Sequence, residues 1–169
     1  MQLTLHADYA LRVLVYLGER APEPASTQAI SEAYGISRHH LVRVMQTLSS
    51  AGFIQLTIGR HGGVSLARDA AEISIGEVVR RTEPSLRIVE CFDRKTNQCP
   101  IAPVCKLKGM LQEALEAFLG VLDRHTLADV VRMPKAQRLS MFFLSEVNTA
   151  SKSRGRGLCR TVGPHALRS

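Results

Sequence analysis

The first half of the chain carries an order of sequence patterns that very few folds accommodate. Apolar residues recur at helical spacing from about residue 4, and the pattern ends before Pro22. The members of this first stripe are Leu5, Tyr9, Val13, Tyr16 and Leu17. A shorter helix follows and stops at Gly35, and after a tight turn Ser37 is placed to cap a third helix over residues 38–50. The sequence therefore predicts three consecutive helices.

Beyond the third helix the apolar period changes from 3.6 residues to two. The period-two segment covers residues 53–58, and residues 64–66 continue it after a glycine-rich link. The link reads Gly59-Arg60-His61-Gly62-Gly63. Glycine lets such a ribbon turn tightly and approach another backbone closely. The pattern predicts a β-hairpin with a basic tip.

Helix, short helix, turn, helix and hairpin, in this order, make a winged helix-turn-helix. These elements bury one small core and leave the third helix free to enter a DNA major groove. We therefore predict a mainly α protein whose residues 1–82 form a DNA-binding domain. The candidate DNA contacts lie at the start of the third helix and at the hairpin tip: Ser37, Arg38, His39, His40, Arg43, Arg60 and His61.

A long apolar helix is predicted in the C-terminal half. Apolar residues repeat at helical spacing over residues 107–122, which is more than a small winged domain can cover. We expect this helix to pair with its equivalent in a second chain, and we assign residues 106–147 to dimerisation. A further short helix is expected over 127–132, and the apolar patch 141–144 could close the end of the dimer. Residues 148–169 are rich in Ser, Gly, Lys and Arg and are expected to form a disordered basic tail.

Charge and hydropathy restrict the possible partners. The net charge is +7, but five basic and no acidic residues follow Asn148, so the rest of the chain carries only +2. Net charge alone therefore does not establish nucleic-acid binding. The low aromatic content, 5% with no Trp, argues against a stacking platform for single strands. No apolar run is long enough to span a membrane and no export signal opens the chain, so a cytoplasmic location is expected.

Three of the four cysteines lie in one segment without helical or strand periodicity, residues 83–105. They are Cys91, Cys99 and Cys105. In a chain without an export signal they should stay reduced, which favours ligand or redox chemistry over disulfides. The spacing lacks the close C-x2-4-C pairs of structural zinc sites and suits the larger body of an iron-sulfur cluster. Three reduced structural thiols remain an alternative at this point.

The segments just described resemble the nitric oxide-sensing repressors of the Rrf2 family of winged-helix regulators. The resemblance covers roughly residues 1–145. Besides the three cysteines, it rests on Met1-Gln2-Leu3-Thr4, Asp8-Tyr9-Ala10-Leu11-Arg12, Tyr34-Gly35-Ile36-Ser37-Arg38-His39-His40-Leu41, the Gly59 to Gly63 link and Thr126-Leu127-Ala128-Asp129. These pieces occur in the order of the family and at matching distances.

The resemblance implies a homodimer with one iron-sulfur cluster in each subunit, held by Cys91, Cys99 and Cys105. Its fourth ligand is implied to be Asp8 of the other subunit. The loaded protein is expected to bind a palindromic double-stranded operator and to release it when nitric oxide attacks the cluster. A 4Fe-4S cluster is favoured over 2Fe-2S, although three thiolates and one oxygen can hold either.

The fourth ligand has competing interpretations. A carboxylate is a harder and more labile donor than a thiolate, which makes the iron that carries it a natural entry point for a small ligand. Asp8 could instead form an ordinary helix pair with Arg12. His6 and His125 are rival ligands. Cys159 lies in the basic tail, outside the pattern of the family.

Two further functions compete with nitric oxide sensing. Nothing in the residues encodes the effector, so an iron- or redox-responsive regulator of the same architecture is the first alternative. An iron-sulfur electron carrier is the second. The sequence shows no paired acids, no nucleophile with a base and no phosphate-binding loop, so we expect no enzymatic activity.

Overall fold

The computed structural model describes residues 2–57 and 62–131. The chain divides into two units, Met1–Arg132 and Met133–Ser169. The second unit contains the predicted apolar patch 141–144, the basic tail and Cys159, and it lies outside the described residues. The hairpin tip with Arg60 and His61 also lies outside them.

The described elements follow the predicted order. The helices are α1 (Leu5–Arg20), α2 (Thr27–Tyr34), α3 (Arg38–Ser50), α4 (Ile75–Thr82), α5 (Lys106–Asp123) and α6 (Leu127–Val131). Short 3-10 helices cover Ala70–Glu72 and Glu90–Phe92. The strands β1 (Ile54–Thr57) and β2 (Gly63–Leu66) pair antiparallel, with Ile54 opposite Leu66 and Thr57 opposite Gly63. The predicted succession of three helices and a hairpin is confirmed.

Local capping fixes where the helices begin. The hydroxyls of Thr4, Ser26, Ser37 and Ser74 each accept a backbone N–H from the first turn of α1, α2, α3 and α4, respectively. Such caps satisfy N–H groups that the helix itself leaves unpaired. Gly35 ends α2 in the left-handed conformation, with φ of +65°. The turn between α2 and α3 is therefore set by neighbouring residues.

The core lies between α1, α3 and the elements that cover them. From α1 it takes Ala10, Val13, Leu14 and Leu17, and from α3 it takes Leu41, Val44, Met45 and Leu48. Leu5 is 63% exposed, so the apolar stripe predicted for α1 was wrong at its first member. The buried face of α1 instead includes Ala10 and Leu14, both fully buried.

The chain after α5 returns to the N-terminal elements. Leu127 of α6 is 1% exposed and belongs to the same core, although sequence analysis grouped it with the dimerisation region. Its N–H donates to the carbonyl of Ile73, and the N–H of Ile75 donates to the carbonyl of His125. These backbone bonds fix the C-terminal end of α5 beside the start of α4.

Candidate functional site

The start of α3 presents basic side chains to solvent. Arg38, His39 and Arg43 are all exposed. The hydroxyl of Ser37 accepts the N–H of His40 at 3.4 Å, so this hydroxyl caps the helix. The buried face of α3 is held by the core, and its position therefore leaves the basic face outward. This arrangement suits contact with a polyanion.

His40 lies toward α1. Its ring centroid is 6.1 Å from that of Tyr9, and the two rings are tilted by 37°. Both residues line a shallow surface cavity between the two helices, together with Leu5, His6, Arg43 and Val44. Two of the predicted DNA contacts on α3, His40 and Arg43, therefore lie on the side of this helix that borders α1.

The turn before α3 is tied down by two side-chain bonds. The Ser31 hydroxyl donates to the carbonyl of Ile36 at 2.6 Å, and Ile36 itself is buried. The Thr27 hydroxyl donates to the Met45 sulfur at 3.7 Å. The first bond holds the turn and the second joins α2 to α3. Contacts inside the protein thus set the angle between α2 and α3. A helix-turn-helix unit needs such contacts to hold its recognition helix in a fixed position.

The hairpin is attached to the loop before α2. Ala25 and Val64 exchange both backbone hydrogen bonds at 2.8 Å. A Cβ on Gly63 would lie 2.9 Å from the Ala25 carbonyl oxygen and 3.2 Å from the Pro24 Cβ. The sequence analysis expected these glycines to allow a close backbone approach. The backbone that approaches Gly63 is that of Ala25 in the same chain.

The three cysteines are placed on one connecting segment. Cys91 lies in the short helix Glu90–Phe92, and Cys105 is the N-cap of α5, at the positive end of its dipole. The backbone N–H of Cys99 donates to the Asn97 side chain at 3.0 Å. All three thiols are free and half-buried. They can therefore ligate without breaking a disulfide.

Little hydrophobic packing holds this cysteine segment. Of residues 83–105, all of which the structure describes, only Ala102 is buried. Ile101 and Val104 are 59% and 81% exposed. Hydrogen bonds organise the segment instead, among them bonds from the Lys95 N–H and the Arg87 guanidinium to Asp93. Led by the Lys95 N–H, these groups lower the pKa of the Asp93 carboxyl.

The cysteines do not form a complete ligand set within one subunit. Across residues 2–57 and 62–131, no three His, Cys, Asp or Glu side chains are grouped so that they could hold a metal ion. The donor chemistry nevertheless fits an iron-sulfur cluster, because three free thiols lie on a segment that the core does not fix.

Asp8 is bound within its own helix. Its carboxylate contacts Arg12 through Nη2–Oδ2 at 2.7 Å and Nε–Oδ1 at 3.1 Å. The Asp8 side chain is 38% exposed. This is the helix pair that the sequence analysis set against ligation. A ligand role would require Asp8 to leave Arg12 or to share its oxygens.

His6 is also engaged. Its Nε2 lies 3.1 Å from the Thr47 hydroxyl, which donates to the Arg43 carbonyl within α3. His6 therefore joins the start of α1 to the helix with the basic face. Close by, both the N–H and the hydroxyl of Thr4 donate to Glu83 Oε1, at 2.6 and 3.1 Å. Glu83 thus ties the start of the cysteine segment to α1.

A match to a protein-family profile identifies the family of this chain. The profile of the Rrf2 family, described as an iron-dependent transcriptional regulator, matches residues 3–133. The chain belongs to the Rrf2 family. The resemblance stated from the sequence is confirmed. It follows that the chain is a DNA-binding transcriptional regulator.

Two relatives of this chain, from different organisms, are both named NsrR. The HTH-type transcriptional regulator NsrR of Bacillus subtilis (strain 168) is 49% identical over 133 residues, which cover 78% of this chain and 91% of the relative. The NsrR of Geobacillus kaustophilus (strain HTA426) is 49% identical over 132 residues, which cover 78% of this chain and 90% of the relative. Both are named as regulators, which gives no support to the alternative of an electron carrier.

The fold of the Rrf2 chain agrees with a solved structure. The structure of T. potens IscR matches with a TM-score of 0.64 and 24% identity, covering 78% of this chain and 87% of that one. At this identity the likeness shows the fold alone. The predicted mainly α, winged helix-turn-helix architecture is confirmed. Among the described helices, none has the length and apolar character needed to cross a membrane.

Proposed function

We propose that this protein is a homodimeric transcriptional repressor that senses nitric oxide through an iron-sulfur cluster. The observation that carries the proposal is the cysteine segment, which bears three free, half-buried thiols between α4 and α5 of a winged-helix protein. A purely DNA-binding domain has no need of three thiols on a segment that its core does not fix. The resemblance to nitric oxide-sensing repressors supplies the effector.

The DNA-binding role is assigned to α3 and the hairpin tip. Arg38, His39 and Arg43 are exposed on α3 and reach base edges or phosphates of a major groove. Ser37 and His40 complete the set on the helix, and Arg60 and His61 contact the flanking minor groove or phosphates. Each subunit of the dimer supplies one such set of contacts. Two sets about one DNA turn apart, roughly 34 Å, fit a palindromic operator.

The cluster would be held by Cys91, Cys99 and Cys105, with Asp8 of the partner subunit as the fourth ligand. When bound, the cluster supplies iron that nitric oxide can attack, and 4Fe-4S is favoured over 2Fe-2S. Arg12 holds the Asp8 carboxylate in the isolated chain and orients it on the first turn of α1. The cluster would bridge the cysteine segment and α1 of the partner subunit. Loss of this bridge would change the distance between the α3 helices of the two subunits. A coupling of about 1–3 kcal/mol is enough to alter operator occupancy.

Dimerisation is assigned to α5. Leu115 is the buried residue of this helix, whereas Leu107, Met110 and Val121 are 61%, 63% and 45% exposed. An apolar helix face of this kind is typical of a buried helix pair. We accordingly propose residues 1–82 as the DNA-binding domain, 83–105 as the cluster segment and 106–147 as the dimerisation region. The basic tail 148–169 adds non-specific attraction to phosphate.

An iron- or redox-responsive regulator is the second candidate. The description of the family profile as iron-dependent favours it specifically. This function uses the same thiols and the same dimer, and only the effector differs. The two candidates therefore separate on the response to effectors and not on cofactor content.

The deciding experiment starts from protein purified without oxygen. A broad visible absorption near 400 nm is expected for the cluster, and operator binding is measured before and after stoichiometric nitric oxide. Release by nitric oxide, with no release by an iron chelator or mild peroxide at equal cluster content, supports nitric oxide sensing. Release by the iron chelator or by mild peroxide, with no release by nitric oxide, supports the second candidate.

The matched variants test the ligand assignment. Cys91→Ala is expected to remove the visible band and the response to nitric oxide, whereas Cys159→Ala should keep both. If Cys91→Ala retains the band and still releases DNA, the sensor proposal is wrong.

A further inference from the structure

One aliphatic side chain stands on the outer face of α3. Among the exposed residues of this helix, all of which the structure describes, Val42 is the single aliphatic one, and it is 49% exposed. The other exposed side chains are Arg38, His39, His40, Arg43, Gln46 and Ser50. Val42 is not among the DNA contacts predicted from the sequence.

Val42 does not belong to the core. The core residues of α3 are Leu41, Val44, Met45 and Leu48. A β-branched residue is also a slightly poorer helix former than alanine. An exposed valine in the middle of the basic face therefore brings no evident benefit to folding. Isolated surface valines are common, so exposure alone does not indicate a function for Val42. Its position among the other exposed side chains of α3 is what bears on its role.

The position places Val42 between two side chains that suit base edges. Arg38 lies four residues before it and Gln46 four residues after it, so the three are neighbours along one side of the helix. Arginine pairs well with guanine and glutamine with adenine in a major groove. A duplex engaged by both of these residues must also cover Val42.

The major groove offers a single apolar partner for such a side chain. Base edges there present hydrogen-bond donors and acceptors, with the thymine 5-methyl group as the exception. An isopropyl group placed over a donor or acceptor removes its water without replacing the hydrogen bond, which is unfavourable. A thymine methyl instead gains apolar burial. We propose that Val42 selects thymine at one position of each half-site, an inference that rests on the proposed entry of α3 into the major groove.

The test uses the full chain, purified without oxygen, and duplexes enriched from a random pool by the wild-type protein. Each thymine of the enriched site is replaced in turn by deoxyuridine, which removes only the methyl group. At one position per half-site, binding should weaken about fourfold, the effect of one buried methyl group, and about fifteenfold when both half-sites are changed. This readout does not depend on how stable the variants are.

Three variants complete the experiment. Val42→Ala should bind thymine and deoxyuridine duplexes equally, because the contact is gone from both. Val42→Ile keeps the branched side chain and should keep the discrimination. Val130→Ala removes the same atoms from α6, where the valine is 40% exposed, and should keep the wild-type discrimination between thymine and deoxyuridine duplexes.

The possible failures are distinct. If no duplex is enriched, α3 does not read DNA and both the proposed function and this inference fail. If a duplex is enriched but deoxyuridine has no effect anywhere, the proposed function stands and Val42 does not select thymine. Discrimination that persists in Val42→Ala also overturns the inference, since another residue must then contact the methyl group.

Discussion

The guanidinium of Arg80 holds the carboxylate of Asp123 in two parallel hydrogen bonds, Nη1–Oδ1 at 2.5 Å and Nη2–Oδ2 at 2.6 Å. Arg80 lies on α4, and Asp123 is the last residue of α5. Gly76 permits the contact, because a Cβ there would lie 2.0 Å from Asp123 Oδ1. The pair therefore joins the element that precedes the cysteine segment to the helix that follows it.

The Arg80–Asp123 pair predicts a pH dependence of stability. Arg80 lowers the pKa of Asp123 below its usual 3.8. A carboxyl whose pKa is lowered in the folded state stabilises the protein above its unfolded pKa, and this contribution is lost as pH falls through the folded-state value. Asp123→Asn should therefore lower Tm at neutral pH. The difference from wild type should shrink as pH falls below the usual pKa and vanish below the lowered folded-state value. Thermal unfolding over a pH series measures it.

Two controls accompany the Asp123 prediction. Glu113→Gln removes an exposed charge from the same helix and should leave no comparable pH-dependent difference. Gly76→Ala displaces the Asp123 carboxylate, so in that background Asp123→Asn should have little further effect. A full effect of Asp123→Asn in the Gly76→Ala protein would show that the pair does not act as described.

Gly63→Ala should destabilise the hairpin. The new Cβ meets the Ala25 carbonyl oxygen, a backbone atom that cannot rotate away. Overpacking of this kind costs about 1–3 kcal/mol. Urea unfolding gives the change in the free energy of unfolding. Gly109→Ala is the matched control, since no atom lies within 4 Å of its Cβ position, and it should be neutral or stabilising by up to ~1 kcal/mol.

Arg38→Ala and Arg43→Ala should each weaken operator binding by about 1–3 kcal/mol where the guanidinium contacts a base. A phosphate contact would instead lower the salt dependence of binding by about one unit of slope. The visible spectrum should remain unchanged, because neither residue lies in the cysteine segment. Arg124→Ala removes an equal charge at the end of α5 and serves as the control in a titration at several salt concentrations. Wild-type affinity in both α3 variants would contradict the assignment.

Asp8 and Arg12 can be separated by comparing their variants. If their ion pair is the whole role of Asp8, then Asp8→Ala and Arg12→Ala should each cost only about 0.2–0.5 kcal/mol of stability and leave the visible spectrum alone. The proposed ligation predicts instead that Asp8→Ala changes the spectrum and the rate of reaction with nitric oxide. Stopped-flow absorption without oxygen measures both. Identical spectra for wild type and Asp8→Ala would exclude ligation.

Met110→Glu should dissociate the proposed dimer. The side chain is 63% exposed in the single chain, and a carboxylate at an apolar helix pair would be buried without a partner. Sedimentation is expected to show a shift to monomer at micromolar concentration, with the helical circular dichroism retained. Leu56→Glu places the same charge at an exposed apolar residue outside the dimerisation region and should stay dimeric. A dimeric Met110→Glu protein would direct attention to another face.

The helix-turn-helix elements were predictable because their signals are local. Ser37 and Gly35 define the ends of α3 and α2 through bonds to residues within one turn, and the apolar period of α3 identifies its buried side. The three cysteines could be identified in the same way, since their type and spacing stand out from the sequence. Their mutual geometry could not, because it depends on a segment with almost no core contacts.

Residues distant in sequence decided what local patterns left open. The Ser74 hydroxyl caps α4 by accepting the Glu77 N–H, whereas the Glu77 carboxylate accepts from Arg68, nine residues earlier, at 3.2 and 3.3 Å. Leu5 is exposed because the core covers the adjacent side of α1. In both cases, the choice among partners depends on which elements meet in space.

The sequence by itself determined the order of the elements and their ends, since each follows from a few adjacent residues. Tertiary structure alone decided that α6 joins the N-terminal core and that Arg80 meets Asp123 across 43 residues. The physical reason is that long-range contacts form only where packing of the whole core offsets the entropy of closing long loops.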